Sequence, residues 1–207
     1  MTPAFRAAAL PLLLAIGPAA LQPAAAQAIS TDYAAAPAGA YALDPAHTSV
    51  ILKVSHLGLS SYTFRMSGVR GGFSFDPARP EASKLQVEID SASVDTGDPA
   101  FNHQIAEDVL GASKYPTISF VSNAVKPERE GRGEVVGDLT LHGQTHPVTL
   151  DVVFNGFAPS PQEKAVRMGF SADATVRRSE YGAGKYAPMV GDEVSLAIET
   201  EFKTSAR

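Results

Sequence analysis

Apolar and polar residues alternate with a period of two through eight separate stretches of this chain, and that pattern leaves few folds open. Successive side chains of an extended strand point to opposite faces, so every second residue shares a face. Between His47 and His56, Val50, Leu52 and Val54 alternate with Ser49, Lys53 and Ser55, with Ile51 as an apolar interruption. Phe73 and Phe75 flank Ser74, and Leu85, Val87 and Ile89 alternate with Gln86, Glu88 and Asp90. Ile118 and Phe120 follow the same rule, as do Leu139 and Leu141, then Val148, Leu150, Val152 and Phe154. Met168 with Phe170, and Leu196 with Ile198, complete the set, and Phe202 continues the last parity. Asp76-Pro77, Glu130-Gly131, His142-Gly143, Asn155-Gly156, Ser160-Pro161 and Gly191-Asp192 mark turns between the runs. Short strands with one buried face and short connections predict an antiparallel sandwich or barrel.

One stretch has a different period. Asp98-Pro99 reads as N-cap and first helical residue, Phe101, Ile105 and Val109 share a helical face, and Gly111 suits the C′ position. The spacing predicts a helix of about three turns, and Pro116 stops it from running into the next strand. Eight strands in roughly 165 residues is a size at which a closed barrel either fills its interior or encloses one small ligand. A sandwich of that size has no cavity, and the periodicity alone leaves both open.

The start of the chain predicts export. Arg6 supplies a positive charge, Ala7 to Ala20 is apolar but broken by Pro11 and Pro18, and Ala26-Gln27-Ala28 is a small-x-small cleavage signal. Residues 1–28 are therefore expected to be a signal peptide, too short to span a bilayer. Residues 29–40 read as a flexible Ala/Pro/Gly linker, and residues 41–207 as a single domain. The net charge of -5 and the lack of a basic run argue against a nucleic-acid partner. With no cysteine, disulfides, thiolate nucleophiles and Cys-ligated metals are excluded.

The residues bear on three other functions. His142 and His146 have the spacing of a zinc pair on a helix, but they fall on a strand and turn with no Glu or Cys beside them. No GxSxG elbow and no paired carboxylates point to hydrolysis, and His47 and His56 lie on opposite strand faces. An exported domain with a filled core and an exposed edge strand would instead be a protein-interaction module.

Several segments in order carry a family resemblance: Leu43-Asp44-Pro45-Ala46-His47-Thr48-Ser49, Val54-Ser55-His56-Leu57-Gly58, Lys114-Tyr115-Pro116-Thr117-Ile118-Ser119-Phe120, Val136-Gly137-Asp138-Leu139-Thr140-Leu141-His142-Gly143 with His146-Pro147-Val148, and Arg178-Ser179-Glu180-Tyr181-Gly182. Together they resemble the YceI-like family of periplasmic polyisoprenoid-binding proteins. The resemblance implies an all-β, antiparallel up-and-down, lipocalin-like barrel of eight strands with a short mid-chain helix, and an elongated apolar cavity. The chain departs from the family in Phe101 to Leu110, where arginines of a charged run are missing although the spacing is kept.

On this reading the protein is not an enzyme and uses no cofactor. It is periplasmic and holds a polyisoprenoid or isoprenoid-quinone lipid as carrier or reservoir. The expected lipid wall is Val50, Leu52, Val54, Phe73, Phe75, Leu85, Val87, Ile89, Ile118, Phe120, Leu139, Leu141, Leu150, Val152, Met168, Phe170, Leu196 and Ile198. His56, Arg177 and Tyr181, near strand ends, are the head-group candidates. Brief membrane contact and a homodimer are both compatible with such a barrel.

Overall fold

The computed structural model describes residues 28–204; the expected signal peptide lies outside them apart from Ala28. The described residues form ten strands, eight of them from the alternating runs: β1 (Gly39–His56), β2 (Ser60–Met66), β3 (Val69–Phe75), β4 (Lys84–Asp90), β5 (Val94–Asp95), β6 (Thr117–Pro127), β7 (Arg132–Leu141), β8 (Gln144–Ser160), β9 (Ala165–Arg177) and β10 (Val190–Thr204). All pairings are antiparallel. β3, β4, β6, β7, β8, β9 and β10 follow one another in the sheet, and β1 pairs with both β3 and β10, closing an eight-stranded barrel. β2 lies along the second half of β1, from Val50↔Met66 to His56↔Ser60, and carries the short β5 on its other edge. The alternation of Tyr62, Phe64 and Met66 with Thr63 and Arg65 is present in the sequence but outside the eight runs, and β5 is too short to show a period.

The one α-helix among the described residues, α1 (Pro99–Asp108), begins where its cap predicts. The Asp98 carboxylate accepts from the N–H groups of Ala100 at 2.9 Å and Phe101 at 3.4 Å, and Pro99 needs no partner there. Beyond Val109, Gly111 at φ +60 turns the chain, and the Ala112 N–H closes on the Ala106 carbonyl at 2.9 Å. Phe101 packs edge-on against Tyr62 of β2 with ring centroids 5.4 Å apart.

A charged cluster spans β1, β9 and β10. Between Leu43 and Thr48 the β1–β10 register shifts, and Asp44-Pro45-Ala46-His47 forms the bulge. Asp44 is buried there. Its carboxylate accepts from Arg167 at 2.8 Å and from His47 Nδ1 at 3.0 Å, while the Thr48 hydroxyl donates to the Asp44 carbonyl at 2.8 Å. Arg167 also binds Glu163 and Glu201, at 2.7 and 2.8 Å. Burial pushes the Asp44 carboxyl up, but the hydrogen bonds from His47, Arg167 and the Ala46 N–H outweigh it and hold it below the usual carboxylate range. Glu163 is held down at about 2, chiefly by its hydrogen bonds with Arg167 and then Lys203.

Arg178 organises the β9–β10 connection. Its buried guanidinium donates to four carbonyls: Gly191 at 2.7 Å, Val190 at 2.7 Å, and Ala183 and Lys185 at 2.6 Å each. At the other end of the chain, residues 29–40 do not hang free as a linker would. Ser30 and Phe157 exchange backbone hydrogen bonds at 3.0 and 2.8 Å, Ala36 is buried, and the Tyr41 hydroxyl donates to the Pro37 carbonyl at 2.7 Å. Burial pushes Tyr41 up to about 12, so it stays protonated and able to donate.

Asp44→Asn should lower stability at neutral pH and flatten its acid dependence. The folded-state pKa is depressed, so the Asp44 contribution is complete above about pH 4, its unfolded value, and is lost as pH falls through the folded value. Urea midpoints of the two proteins should converge as pH is lowered from about 7 towards about 3. A difference that stays constant over this range would remove Asp44 as the cause.

Candidate functional site

The barrel interior is not filled. It encloses a cavity of about 320 Å³, at the lower end of the range for small-molecule sites, roughly 300 to 1,000 Å³. Its wall is built by parity. Val50 and Leu52 of β1 face Ile198 and Leu196 of β10 across the closing seam, Val87 pairs with Phe120 and Phe120 with Leu139, and Val152 pairs with Ala172. Of the residues expected on the lipid wall, Val50, Leu52, Phe73, Phe75, Leu85, Val87, Ile89, Ile118, Phe120, Leu139, Leu141, Leu150, Val152, Met168, Phe170, Leu196 and Ile198 all border the cavity. Val54 does not: it packs with Leu141, Val176, Tyr181 and Val194 in a separate apolar cluster beyond one end.

Other lining residues were missed. Phe154 and Phe202 continue parities already visible in the sequence. Phe64 and Met66 come from β2, and Tyr33 from the N-terminal segment. Val125 enters because a bulge between Ser122 and Ala124 reverses the parity of β6, which no binary pattern reveals. Gly137 occupies an inward position, and a Cβ there would stand 2.5 Å from the Phe120 ring and 2.5 Å from the Val121 carbonyl oxygen. The glycine makes the space that the Phe120 ring occupies.

The wall has two textures. On the β1, β3, β8, β9 and β10 side, aromatic rings brace one another: Tyr41 stacks on Phe73 at 5.0 Å, Phe73 meets Phe202 and Phe170 edge-on at 4.9 and 5.6 Å, and Phe154 meets Phe170 at 5.4 Å. On β4 and β7, Leu85, Val87, Ile89, Val135 and Leu139 give a mostly aliphatic surface.

The two ends also differ. At the β6–β7 hairpin both strand faces border the cavity, through Val125, Lys126, Pro127 and Gly131 to Val135, together with Pro80 and Ser83 of the β3–β4 connection. Residues of both parities line a cavity only where the wall ends, so this is the mouth. Its charged groups are Arg132 and the ion pair of Lys126 with Glu134 at 2.8 Å. The opposite end is closed by α1, the segment after it, and the β9–β10 connection.

The head-group candidates sit at that closed end. Arg177 lies on the outer face, beside Glu193 at 3.3 Å, because it is out of phase with the inward Val176 and Val194. Tyr181 is buried in the cluster with Val54, where burial raises its pKa, and does not border the cavity. His56 is exposed at the rim of β1, also away from the mouth. Strand ends are visible in the sequence, but which barrel end stays open depends on where the helix packs.

The two turn histidines are packing groups. His142 Nδ1 donates to the Tyr181 carbonyl at 3.2 Å and its ring lies 4.7 Å from Tyr115, while His146 meets the Tyr181 ring edge-on at 5.0 Å. Among the described residues, no group of three or more His, Cys, Asp or Glu side chains is placed to hold a metal.

A closed antiparallel barrel around an apolar cavity with one charged rim belongs to the class of small-molecule-binding barrels. Residues 41–202 match the YceI-like domain, and the chain belongs to that family. It is 39% identical over 170 residues to a UPF0312 protein of Pseudomonas savastanoi pv. phaseolicola, covering 82% of this chain and 84% of the relative. Its fold is similar to the crystal structure of Burkholderia cenocepacia BcnA, with a TM-score of 0.69 and 27% identity over 77% of this chain and 98% of that one. A polyisoprenoid binding domain from Saccharophagus degradans shares the fold at a TM-score of 0.58 and 16% identity, over 81% of this chain and 99% of that one.

Because the chain has no native cysteine, the mouth is open to a direct test. A bulky maleimide on Arg132→Cys should block uptake of an apolar fluorescent naphthylamine, and the same label on Leu59→Cys, at the closed end, should not. The reverse pattern would put the entrance at the wrong end.

Proposed function

We propose that the protein is a periplasmic carrier or reservoir that holds a long apolar lipid of polyisoprenoid or isoprenoid-quinone type in the barrel cavity. The observation that carries this reading is the continuous apolar wall, closed at one end and charged only at the other. An apolar chain gains about 0.8 kcal/mol for each methylene removed from water, so such a wall binds it without a network of polar contacts. The more polar end of the lipid stays at the rim, beside Arg132 and the Lys126–Glu134 pair.

Binding without catalysis fits the polar groups of the interior. Thr48 and Thr200 line the cavity, and their hydroxyls hydrogen-bond each other at 2.9 Å while Thr48 also donates to the Asp44 carbonyl. These hydroxyl contacts are to each other and to a backbone carbonyl, not to a side-chain base. Membership in the YceI-like family and the barrel shared with a polyisoprenoid binding domain support the choice of lipid. The periplasmic address rests on the leader of residues 1–28, with its apolar run and Ala26-Gln27-Ala28 cleavage signal.

Native mass spectrometry of the protein purified from an exporting host should show a bound mass that organic solvent extracts and that matches a prenyl lipid or quinone. Val87→Glu places a charge in the middle of the wall and should abolish that retention, with circular dichroism confirming the fold. An empty wild-type protein that also refuses added polyprenyl lipids would overturn the reading.

A further inference from the structure

We propose that Leu110 is the stop that sets how long a lipid chain the cavity accepts. The inference rests on the lipid-binding reading and deepens it. Backbone pairing fixes the girth of the barrel, because each ring strand is hydrogen-bonded on both sides. Depth is set differently. At the mouth the cavity is open, so the limit on a chain threaded inward is whatever closes the far end.

Four elements cover that end: the β1–β2 turn, the connection that contains α1, the β7–β8 turn and the β9–β10 connection. Among the described residues of all four, Leu110 alone reaches the cavity. It packs against both apolar clusters, the main core and the one around Tyr181, and so stands on the boundary between them. Leu141 and Val176 flank it from the wall strands, and Tyr181 fills the space beyond.

The segment that carries Leu110 is held firmly. The Leu110 N–H donates to the Ile105 carbonyl at 3.1 Å, and the Tyr115 N–H to the Gly111 carbonyl at 2.8 Å. Gly111 lies directly under the His142 ring, so close that a Cβ would meet the ring at 3.1 Å. His142 is itself tied to Tyr181. A chain tip pressing on Leu110 therefore meets a side chain backed by packed rings and backbone hydrogen bonds. Because this segment forms no part of the hydrogen-bonded wall, its side chain can change size without altering the girth of the barrel.

The test measures affinity for a ladder of all-trans prenols, from geraniol to decaprenol, by displacement of an apolar fluorescent probe. Leu110→Ala should move the preferred length up by about one isoprene unit, as the space left by the lost carbons becomes available. Leu110→Phe should move it down. Leu139→Ala, on the side wall, should change affinity for all lengths alike. If both Leu110 variants keep the wild-type length preference while folded by circular dichroism, or lose affinity equally at every length, the stop is refuted. A wild-type protein that binds no prenol of any length refutes the lipid reading instead.

Discussion

The pairing of β1 with β10 is the constraint on which the rest depends. It joins the start of the domain to its end, from Tyr41↔Thr204 to His56↔Val190, and turns an open sheet into a barrel. Closure satisfies the backbone groups that open edges would leave unpaired, and it creates an inside. The bulge at Asp44 to His47 lies within this seam. A buried carboxylate is tolerated there because Arg167 and His47 reach it from β9 and from β1 itself. The Leu-Asp-Pro-Ala-His-Thr segment thus acts as part of the closure, and its histidine is a partner of Asp44 that does not border the cavity.

The cavity survives because its large side chains are concentrated on one flank. The interlocked rings of Tyr41, Phe73, Phe154, Phe170 and Phe202 hold each other in place at edge-on and stacked contacts, and cannot fall inward without giving these up. The β4 and β7 flank carries mostly branched aliphatic side chains, with Leu85 paired directly beside Phe73. Arg178 closes the far end without itself approaching the interior, by gathering the carbonyls of the β9–β10 connection around one buried charge. The lining is nearly all hydrocarbon, and the networks around Asp44 and Arg178 lie outside it.

Much of this was legible from period two alone. Leu85, Val87 and Ile89 face inward because alternate strand residues must, and so do Leu196 and Ile198. The N-cap at Asp98 and the end of the helix before Gly111 follow from local backbone chemistry. Tyr62, Phe64 and Met66 carried the same signal as the other strands. The lining at Val125 was beyond reach, because a bulge reverses parity at a point the apolar pattern does not mark. The head-group candidates His56 and Arg177 lie at strand ends and Tyr181 in the β9–β10 connection, all at the closed end of the barrel.

By itself the sequence determined the strands, their buried faces, the helix and the apolar character of the interior, since these depend on neighbours a few residues apart. Barrel rather than sandwich was implied by family resemblance and never by periodicity. Only the tertiary structure decided that β1 meets β10, that Leu110 rather than Val54 borders the cavity, and that the mouth opens at Lys126, Arg132 and Glu134. These are contacts between segments far apart in the chain, and alternation records which way a side chain points but not what stands opposite it.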